Sequence, residues 1–454
     1  MKVTIVGAGY VGLVTGGALA YLGNDVTYLD NDEQKIAALR DGQPSIYEPG
    51  LAELLELGRD HLHSTTKYEE AIPNADVVFI TVGTPLDADG CPNLTYVEAA
   101  AHQIGLNLGS GFTLIVNKST VPIGSGNWVE AIVRDAFELR NGHKPDSAFS
   151  VASNPEFLKE GTALQDTFYP DRIVIGSKDP KAIAVLSDLY RPLLNQDYIP
   201  PSFLPRPEGL GAVPVITADL ASAELIKYAA NAFLTVKISF INEMASLAQK
   251  VGADVLQLSR GIGLDARIGS RFLQAGIGWG GSCFGKDTAA LIGTGQEYGI
   301  RMPIVEAARE VNCRQREWAI EKLLEELKIL KGCTIGVLGV AFKPNTDDLR
   351  DAPALDISKR LVGRGAKVLA HDPVALERAR REASMPGIIF KNSPEAVFES
   401  ADAVLLATEW EDYRSLPFAK LLPRMASPVF IDGRNFLNRE QMQSAGYRYV
   451  GVGR

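Results

Sequence analysis

The densest chemistry in the 454 residues lies in one loop, Gly276-Ile277-Gly278-Trp279-Gly280-Gly281-Ser282-Cys283-Phe284-Gly285-Lys286-Asp287. Five of its first ten positions are glycine. That density gives up conformational entropy for shapes only glycine adopts, commonly for close approach to a ligand with amides turned inward. A cysteine there, beside Lys286 and Asp287, has the makings of an activated thiolate. The alternative is a buried structural cysteine beside a flexible loop. A second group is Asn154-Pro155-Glu156-Phe157-Leu158-Lys159-Glu160-Gly161. Asn154 as N-cap, Pro155 at the first helical position and acids in the first turn predict a helix start, with Glu156 and Glu160 on one face. Such acids are also common as mere dipole partners. The third is Lys227 and Asn231, four apart in a stretch from Asp219 to about Lys250 that has no Gly or Pro and reads as one long helix. Their neighbours are Ala, Ile, Leu and Phe, which points to a buried polar site rather than a solvated pair.

These groups need elements to hold them, and the N-terminus supplies a nucleotide-binding unit. Lys2 to Val6 reads as a buried strand leading into Gly7-Ala8-Gly9-Tyr10-Val11-Gly12; Val11 to Leu22 reads as a helix, and Val26 to Asp30 as a second strand ending in an acid. Gly7 permits the tight turn, Gly9 lets the backbone approach a pyrophosphate, and Gly12 lets the helix pack close so that its first amides bind the anion. Asp30 stands where a carboxylate accepts from an adenosine ribose. With Asp32 it would repel a 2′-phosphate, so NAD is favoured over NADP. The uncharged run from Val3 to Asn24, with Ala18-Leu19-Ala20, also resembles a secretory signal or a membrane span, but that leaves the glycine spacing unexplained.

Ala75 to Val82 is another buried strand, running into Gly83-Thr84-Pro85, and Phe112 to Val116 runs into Lys118-Ser119-Thr120-Val121-Pro122. Ligands of open α/β sheets sit beyond such strand ends, which puts Thr84 and Thr120 near a cofactor, although in isolation they read as ordinary loop threonines. Beyond residue 330 the pattern returns: Thr334 to Gly339, Ala366 to Asp372 and Ala401 to Thr408 echo the first strand and turn, the second strand with its acid, and the segment from Ala75. The glycine fingerprint is incomplete after Gly339, which suggests a different nucleotide ligand. The expected fold is α/β: two Rossmann-like doubly wound domains, residues 1–213 and 326–454, joined by a long central helix and a helical middle domain, 214–325, with a cleft between them.

Composition agrees. An apolar fraction of 46% with 22% charged residues is that of a globular protein, and the length suggests about three domains. A net charge of −9 argues against nucleic acid or an anionic membrane as partner. Cys91, Cys283, Cys313 and Cys333 are too few and scattered for a disulfide framework, which fits a reducing, cytoplasmic setting. No metal is expected: the nearest approach to a ligand pair, His61-Leu62-His63, reads as a solvated loop.

The chain resembles the UDP-glucose/GDP-mannose dehydrogenase family over almost its whole length. The motifs that carry the likeness stand in the family's order: Gly7 to Gly12, Val82 to Pro85, Lys118 to Pro122, Asn154 to Gly161, Gly280 to Asp287, Phe342-Lys343-Pro344-Asn345-Thr346-Asp347-Asp348-Leu349-Arg350, and Asp432-Gly433-Arg434-Asn435. Pro170 to Gly176 and Asp265 to Gly269 are most similar to the branch acting on UDP-glucose. Two positions depart from the usual bacterial form: Trp279 stands where Tyr or Phe is expected, and Gly285 where Pro or another residue is common. The second could loosen the cysteine loop.

The resemblance implies NAD-dependent oxidation of a sugar C6 alcohol to a carboxylate, a four-electron reaction in two hydride transfers. On that reading Lys227, with a water held by Asp287, stabilises the developing alkoxide. Cys283 traps the aldehyde as a thiohemiacetal that becomes a thioester. Glu156 is the general base for its hydrolysis, and Thr120, Asn231 and Asp287 position the water or oxyanion. Which of Lys227, Asp287 and Glu156 acts at each proton transfer stays open. The resemblance places NAD against Gly7, Gly9, Tyr10, Val11, Gly12, Asp30, Lys35, Thr84, Thr120, Glu160, Lys286 and Arg350. It places UDP-glucose against Glu156, Phe157, Leu158, Lys159, Glu160, Lys227, Asn231, Phe272, Gln274, Gly280, Phe284, Lys343 and Arg434. Arg267 would reach the substrate of a neighbouring subunit, so a homodimer or larger is expected. The rival readings are GDP-mannose or another UDP-hexose or UDP-hexosamine as substrate, a two-electron hydroxyacid dehydrogenase, which has no use for Cys283, and a sensor that binds without turnover.

Overall fold

Val3 to Val6 are buried along the whole of their strand, as a parallel sheet covered on both faces requires. That strand, β1 (Lys2–Val6), opens the computed structural model, which describes residues 1–85, 87, 92–145, 147–383 and 385–454. Cys91 lies outside the described residues; Cys283, Cys313 and Cys333 carry no disulfide among them. The chain divides into two compact units, Met1–Ala229 and Ala230–Arg454.

In the first unit β1 is joined by β2 (Asp25–Leu29), β3 (Leu62–Thr65), β4 (Val77–Ile80), β5 (Thr113–Asn117), β6 (Phe149–Ser153), β7 (Ile173–Gly176) and β8 (Val215–Ala218). They form one sheet in the order β3-β2-β1-β4-β5-β6-β7-β8. Neighbours are parallel except β6 and β7. The order reverses at β1, so the carboxyl ends of β1 and β4 flank a topological switch point, where ligands of such sheets bind. Alternation along the strands builds two cores. Val77 and Phe79 pack with Ile5 on one face, while Val78 and Ile80 pack with Val6 and Ile115 on the other. The uncharged run from Val3 to Asn24 becomes β1, a turn and the helix Tyr10–Tyr21. No helix of the described residues is long and apolar enough to cross a membrane.

The predicted long helix runs from Leu220 to Val251, and the division between the units falls within it. In the second unit the helices Val255–Gly263, Phe284–Glu297 and Pro303–Leu327 precede a second sheet. Its strands are β9 (Thr334–Leu338), β10 (Lys367–His371), β11 (Ile388–Phe390), β12 (Ala403–Leu406), β13 (Val429–Asp432) and β14 (Arg448–Gly451), all parallel, in the order β11-β10-β9-β12-β13-β14. The repeat read from the sequence is thus a second doubly wound sheet. Ile241 and Ala245 of the long helix, Val255, and Trp318 and Leu323 of Pro303–Leu327 share one core with it.

Candidate active site

The first cluster surrounds the turn after β1. Gly7 has φ +104°, a conformation side chains resist, and a Cβ there would meet the Thr81 backbone at 3.0 Å. A Cβ on Gly12 would lie 2.0 Å from the Gly7 carbonyl oxygen. Gly9 faces open space instead, with nothing within 4 Å, and no side chain caps the helix Tyr10–Tyr21 that follows. Open backbone before an uncapped helix start is what a pyrophosphate fits. Asp30, just past β2, accepts from the Ala8 amide at 2.8 Å and lies 3.9 Å from the Lys35 ammonium. Asp32 caps the helix Glu33–Arg40 by accepting from the Gln34 and Lys35 amides. Beyond β4 and β5, the Thr84 hydroxyl donates to the Thr120 carbonyl at 2.9 Å, tying the two loops that the sequence put near a cofactor.

The second cluster is a buried ion pair. Glu156 and Lys227, with side chains 7% and 4% exposed, meet at 2.7 Å. The other carboxylate oxygen of Glu156 accepts from the Leu158 amide at 2.9 Å, and the Lys227 ammonium lies 5.5 Å from the centre of the Phe157 ring, on which Arg172 stacks at 3.6 Å. The helix expected to start at Asn154 does not form: residues 154–159 are irregular, and the next helix is Ala163–Phe168, with Thr162 at its N-cap. The reason is tertiary. The Asn154 amide continues the β5–β6 pairing to the Asn117 carbonyl, and its side chain turns inward, accepting from Lys118 at 2.9 Å and Tyr190 at 2.7 Å while donating to the Val174 carbonyl at 2.8 Å. Without a helical turn, Glu156 and Glu160 do not share a helix face. A cavity of about 70 Å³ lies against this segment, lined in part by Lys118, Asn154, Glu156 and Tyr190.

The third cluster, in the second unit, surrounds the cysteine loop. Asp287 is 1% exposed and accepts from Asn231 and from Lys286, both at 2.6 Å. Cys283 is the N-cap of Phe284–Glu297, at the positive end of the helix, where a thiolate is favoured, and its sulfur lies 3.5 Å from the Ser282 hydroxyl. Four of the loop's glycines answer to protein contacts, a cause of their density that the sequence did not announce. A Cβ would fall 2.6 Å from Asn312 at Gly278, 2.2 Å from the Asp351 carbonyl at Gly280, and 2.6 Å from the Phe342 ring at Gly281. Gly276 meets the Gly433 carbonyl in the same way at 2.9 Å. Gly285 alone of the five has room, its nearest neighbour lying at 3.7 Å, and it sits inside the helix. Trp279 is buried, its amide donating to Asn312 at 2.7 Å and its ring standing edge-on to Phe284. Phe272 also stands edge-on to Phe284, with 6.5 Å between ring centres.

Other expected contacts are engaged within the protein. Arg434 donates to the Ala407 carbonyl at 2.8 Å and to the Gly278 carbonyl at 3.1 Å, so it braces the cysteine loop. Arg350 pairs with both oxygens of Asp348, and Lys343 lies 5.2 Å from the Phe342 ring. Lys159 pairs with Asp166, and Gln274 is exposed. Arg267, paired with Asp265, has a side chain 89% exposed. His63 bonds to Asp25 at the edge of the first sheet, at 2.8 Å.

Sequence reasoning passed over three buried charges. Burial pushes the Lys118 ammonium down to about 8, opposed by the Glu156 charge and reinforced by Lys227. Glu224 accepts from the Gly124 and Gly126 amides at 2.6 and 2.8 Å, anchoring the chain beyond Thr120 to the long helix; burial raises it to about 7 against those two bonds. Glu48 binds Tyr10 and Gly161. Lys118 was signalled by its place at a strand end; Glu48 lies 38 residues from Tyr10 and 113 from Gly161, and Glu224 lies 100 and 98 from its glycine partners, separations that leave no local trace.

Three family models match the chain. The NAD binding domain of the UDP-glucose/GDP-mannose dehydrogenase family matches residues 1–194, its central domain 221–314 and its UDP binding domain 336–439. The UDP-glucose 6-dehydrogenase TuaD of Bacillus subtilis is 45% identical over 455 aligned residues, covering 100% of this chain and 93% of that protein. The UDP-glucose 6-dehydrogenase of Rhizobium meliloti is 44% identical, with both chains covered in full at 100%. A solved UDP-glucose dehydrogenase from Pyrobaculum islandicum superposes with a TM-score of 0.87 at 39% identity, covering 99% of this chain and 97% of that one.

Proposed function

The chain belongs to the UDP-glucose/GDP-mannose dehydrogenase family, and from that membership we infer that it oxidises UDP-glucose to UDP-glucuronate with NAD. The three stretches matched by the family models support a three-part reading, residues 1–213, 214–325 and 326–454. NAD would lie along Gly7 to Gly12, Asp30, Lys35, Thr84, Thr120 and Glu160; the family likeness also assigns it Lys286 and Arg350. When bound, it supplies the acceptor for a hydride.

The chain's own residues handle protons and carbon. As the C6 alcohol gives up its first hydride, Lys227 stabilises the alkoxide oxygen, and its proton leaves to solvent or to a carboxylate. The Cys283 sulfur then bonds to the aldehyde carbon, the carbonyl oxygen taking a proton as the thiohemiacetal forms. Loss of the second hydride and of that proton leaves a thioester. Water, deprotonated by Glu156, adds to the acyl carbon; the C–S bond breaks, and the thiolate and a carboxylate remain. Asn231 and Asp287 hold the oxyanion region. The observation that carries this reading is Asp287, wholly buried between Asn231 and Lys286, one helical turn from Cys283. A two-electron dehydrogenase has no use for a thiol in that setting.

Assembly with a second copy is part of the proposal. Phe233, Phe240 and Leu247 recur at intervals of seven along the long helix, 65%, 47% and 54% exposed, and an apolar stripe of that spacing suits a partner helix.

The test is NADH formed per UDP-glucose consumed. About two are expected, with Cys283→Ser stalled before the carboxylate; one per sugar would remove the role given to Cys283. Turnover of GDP-mannose alone would move the substrate and leave the mechanism.

A further inference from the structure

Glu48 belongs to none of the motifs above, yet its carboxylate gathers both ligand-facing segments of the first unit. It lies just before Pro49-Gly50 and is 6% exposed. One oxygen, Oε2, accepts from the Tyr10 hydroxyl and, at 2.6 Å, from the Gly161 amide; the other, Oε1, accepts from the Ala163 amide at 2.6 Å. The Tyr10 hydroxyl also accepts from the Gly161 amide at 2.8 Å, closing a three-membered network. Tyr10 is the first residue of the helix after Gly9, in the turn assigned to the pyrophosphate. Gly161, at φ +81°, directly follows Glu160 and ends the segment that carries Glu156.

A buried carboxylate with three donors is held far more rigidly than a solvated one, because losing any partner leaves a polar group without water. The dinucleotide turn and the end of the Glu156–Gly161 segment are therefore fixed to one point. An anion drawing the helix start towards itself acts on Tyr10, and through Glu48 on Gly161; a sugar nucleotide ordering residues 156–160 acts in the reverse direction. Linkage makes the two effects equal. We propose that Glu48 is a positioning residue that couples cofactor binding to substrate binding, each ligand strengthening the other through the Tyr10–Glu48–Gly161 network. The inference rests on the assignment of NAD and UDP-glucose above.

The coupling is measurable without turnover, because NADH is already reduced and the C6 alcohol of UDP-glucose cannot accept its hydride. NADH affinity of the full chain is titrated with and without saturating UDP-glucose, for the native protein, Glu48→Gln and Tyr10→Phe. The native protein is expected to bind NADH at least about fivefold more tightly with UDP-glucose present, the low end of ordinary couplings. In both variants the ratio should fall below about two, whatever the change in affinity for either ligand alone. Tyr10→Phe leaves the Gly161 and Ala163 bonds to Glu48 in place, so it keeps the test open if Glu48→Gln does not fold. Native coupling retained in the variants, or no native coupling although both ligands bind, would overturn the proposal. Failure of UDP-glucose to bind the native protein at all would instead count against the substrate assignment. A purely structural role predicts a lower melting temperature with the coupling ratio unchanged.

Discussion

Asp30 and Asp372 each follow the second strand of a doubly wound sheet, β2 in one unit and β10 in the other, and they are employed in opposite ways. Asp30 makes two bonds to backbone, from Ala8 and Asp32, in a turn whose next glycine faces open space. Asp372 is 1% exposed and fully used: Val340, Ala341, Val374 and Ala375 donate backbone amides, and Trp410 donates its indole N–H at 3.1 Å. The turns differ in the same sense. Gly339 keeps the left-handed conformation of Gly7, at φ +89°, and Thr408 crowds it as Thr81 crowds Gly7; the difference comes two residues on, where buried Ala341 stands in place of the open Gly9. In the first unit a helix starts at Tyr10, directly after the turn; in the second, residues 340–352 are irregular and the helix waits until Pro353. A glycine turn and a strand-end acid are therefore shared scaffold. What marks the dinucleotide site is the helix start that follows at once and the room left before it.

The comparison can be broken most sharply at Asp372. Asp372→Ala strands five donors and is expected to cost at least about 3 kcal/mol of unfolding free energy in urea titrations, with NAD affinity of the folded fraction unchanged. Asp30→Ala should do the converse, weakening NAD binding about tenfold, or about 1.4 kcal/mol, with a smaller loss of stability. Equal effects of the two changes on both quantities would erase the distinction drawn between the sheets.

Lys118 sharpens the same contrast with a smaller effect. The ammonium sits at the carboxyl end of β5 with its value lowered to about 8 from 10.5, chiefly by burial. Between those values the unfolded chain holds a proton that the folded chain has lost, so this group's contribution to stability rises with pH across the window and is absent as a gain below about 8. The difference in unfolding free energy between the native protein and Lys118→Met should accordingly move in favour of the native protein by about 1 kcal/mol per pH unit from pH 8 towards 10. A difference that stays flat with pH would show that Lys118 titrates as an ordinary surface lysine.

The strands that were read were legible because buried parallel strands are short, nearly continuous apolar runs bounded by turns and acids, and Val77 to Ile80 and Ala403 to Leu406 are cases in point. The long helix was legible from its lack of breakers. The segment from Asn154 was misread because its helix-start signals are local, whereas Lys118, Tyr190 and the Asn117 carbonyl, all distant in sequence, claim Asn154 first. The glycines of the cysteine loop were noticed for their density, but one cause of it was out of view: Asn312, Asp351 and Phe342 leave no volume for side chains, and no spacing announces such contacts. Glu48 was invisible for a related cause, its partner Gly161 lying 113 residues away.

The covalent role of Cys283 is tested most directly in Glu156→Gln, where hydrolysis should be slowed after both hydrides have left. The protein is mixed with NAD and UDP-glucose, quenched in acid and digested, and the peptide containing Cys283 is weighed. The account predicts a burst of about two NADH per site and a Cys283 peptide heavier by the UDP-glucuronyl acyl group. A burst of that size with an unmodified Cys283 peptide, or with the acyl group on another residue, would contradict it.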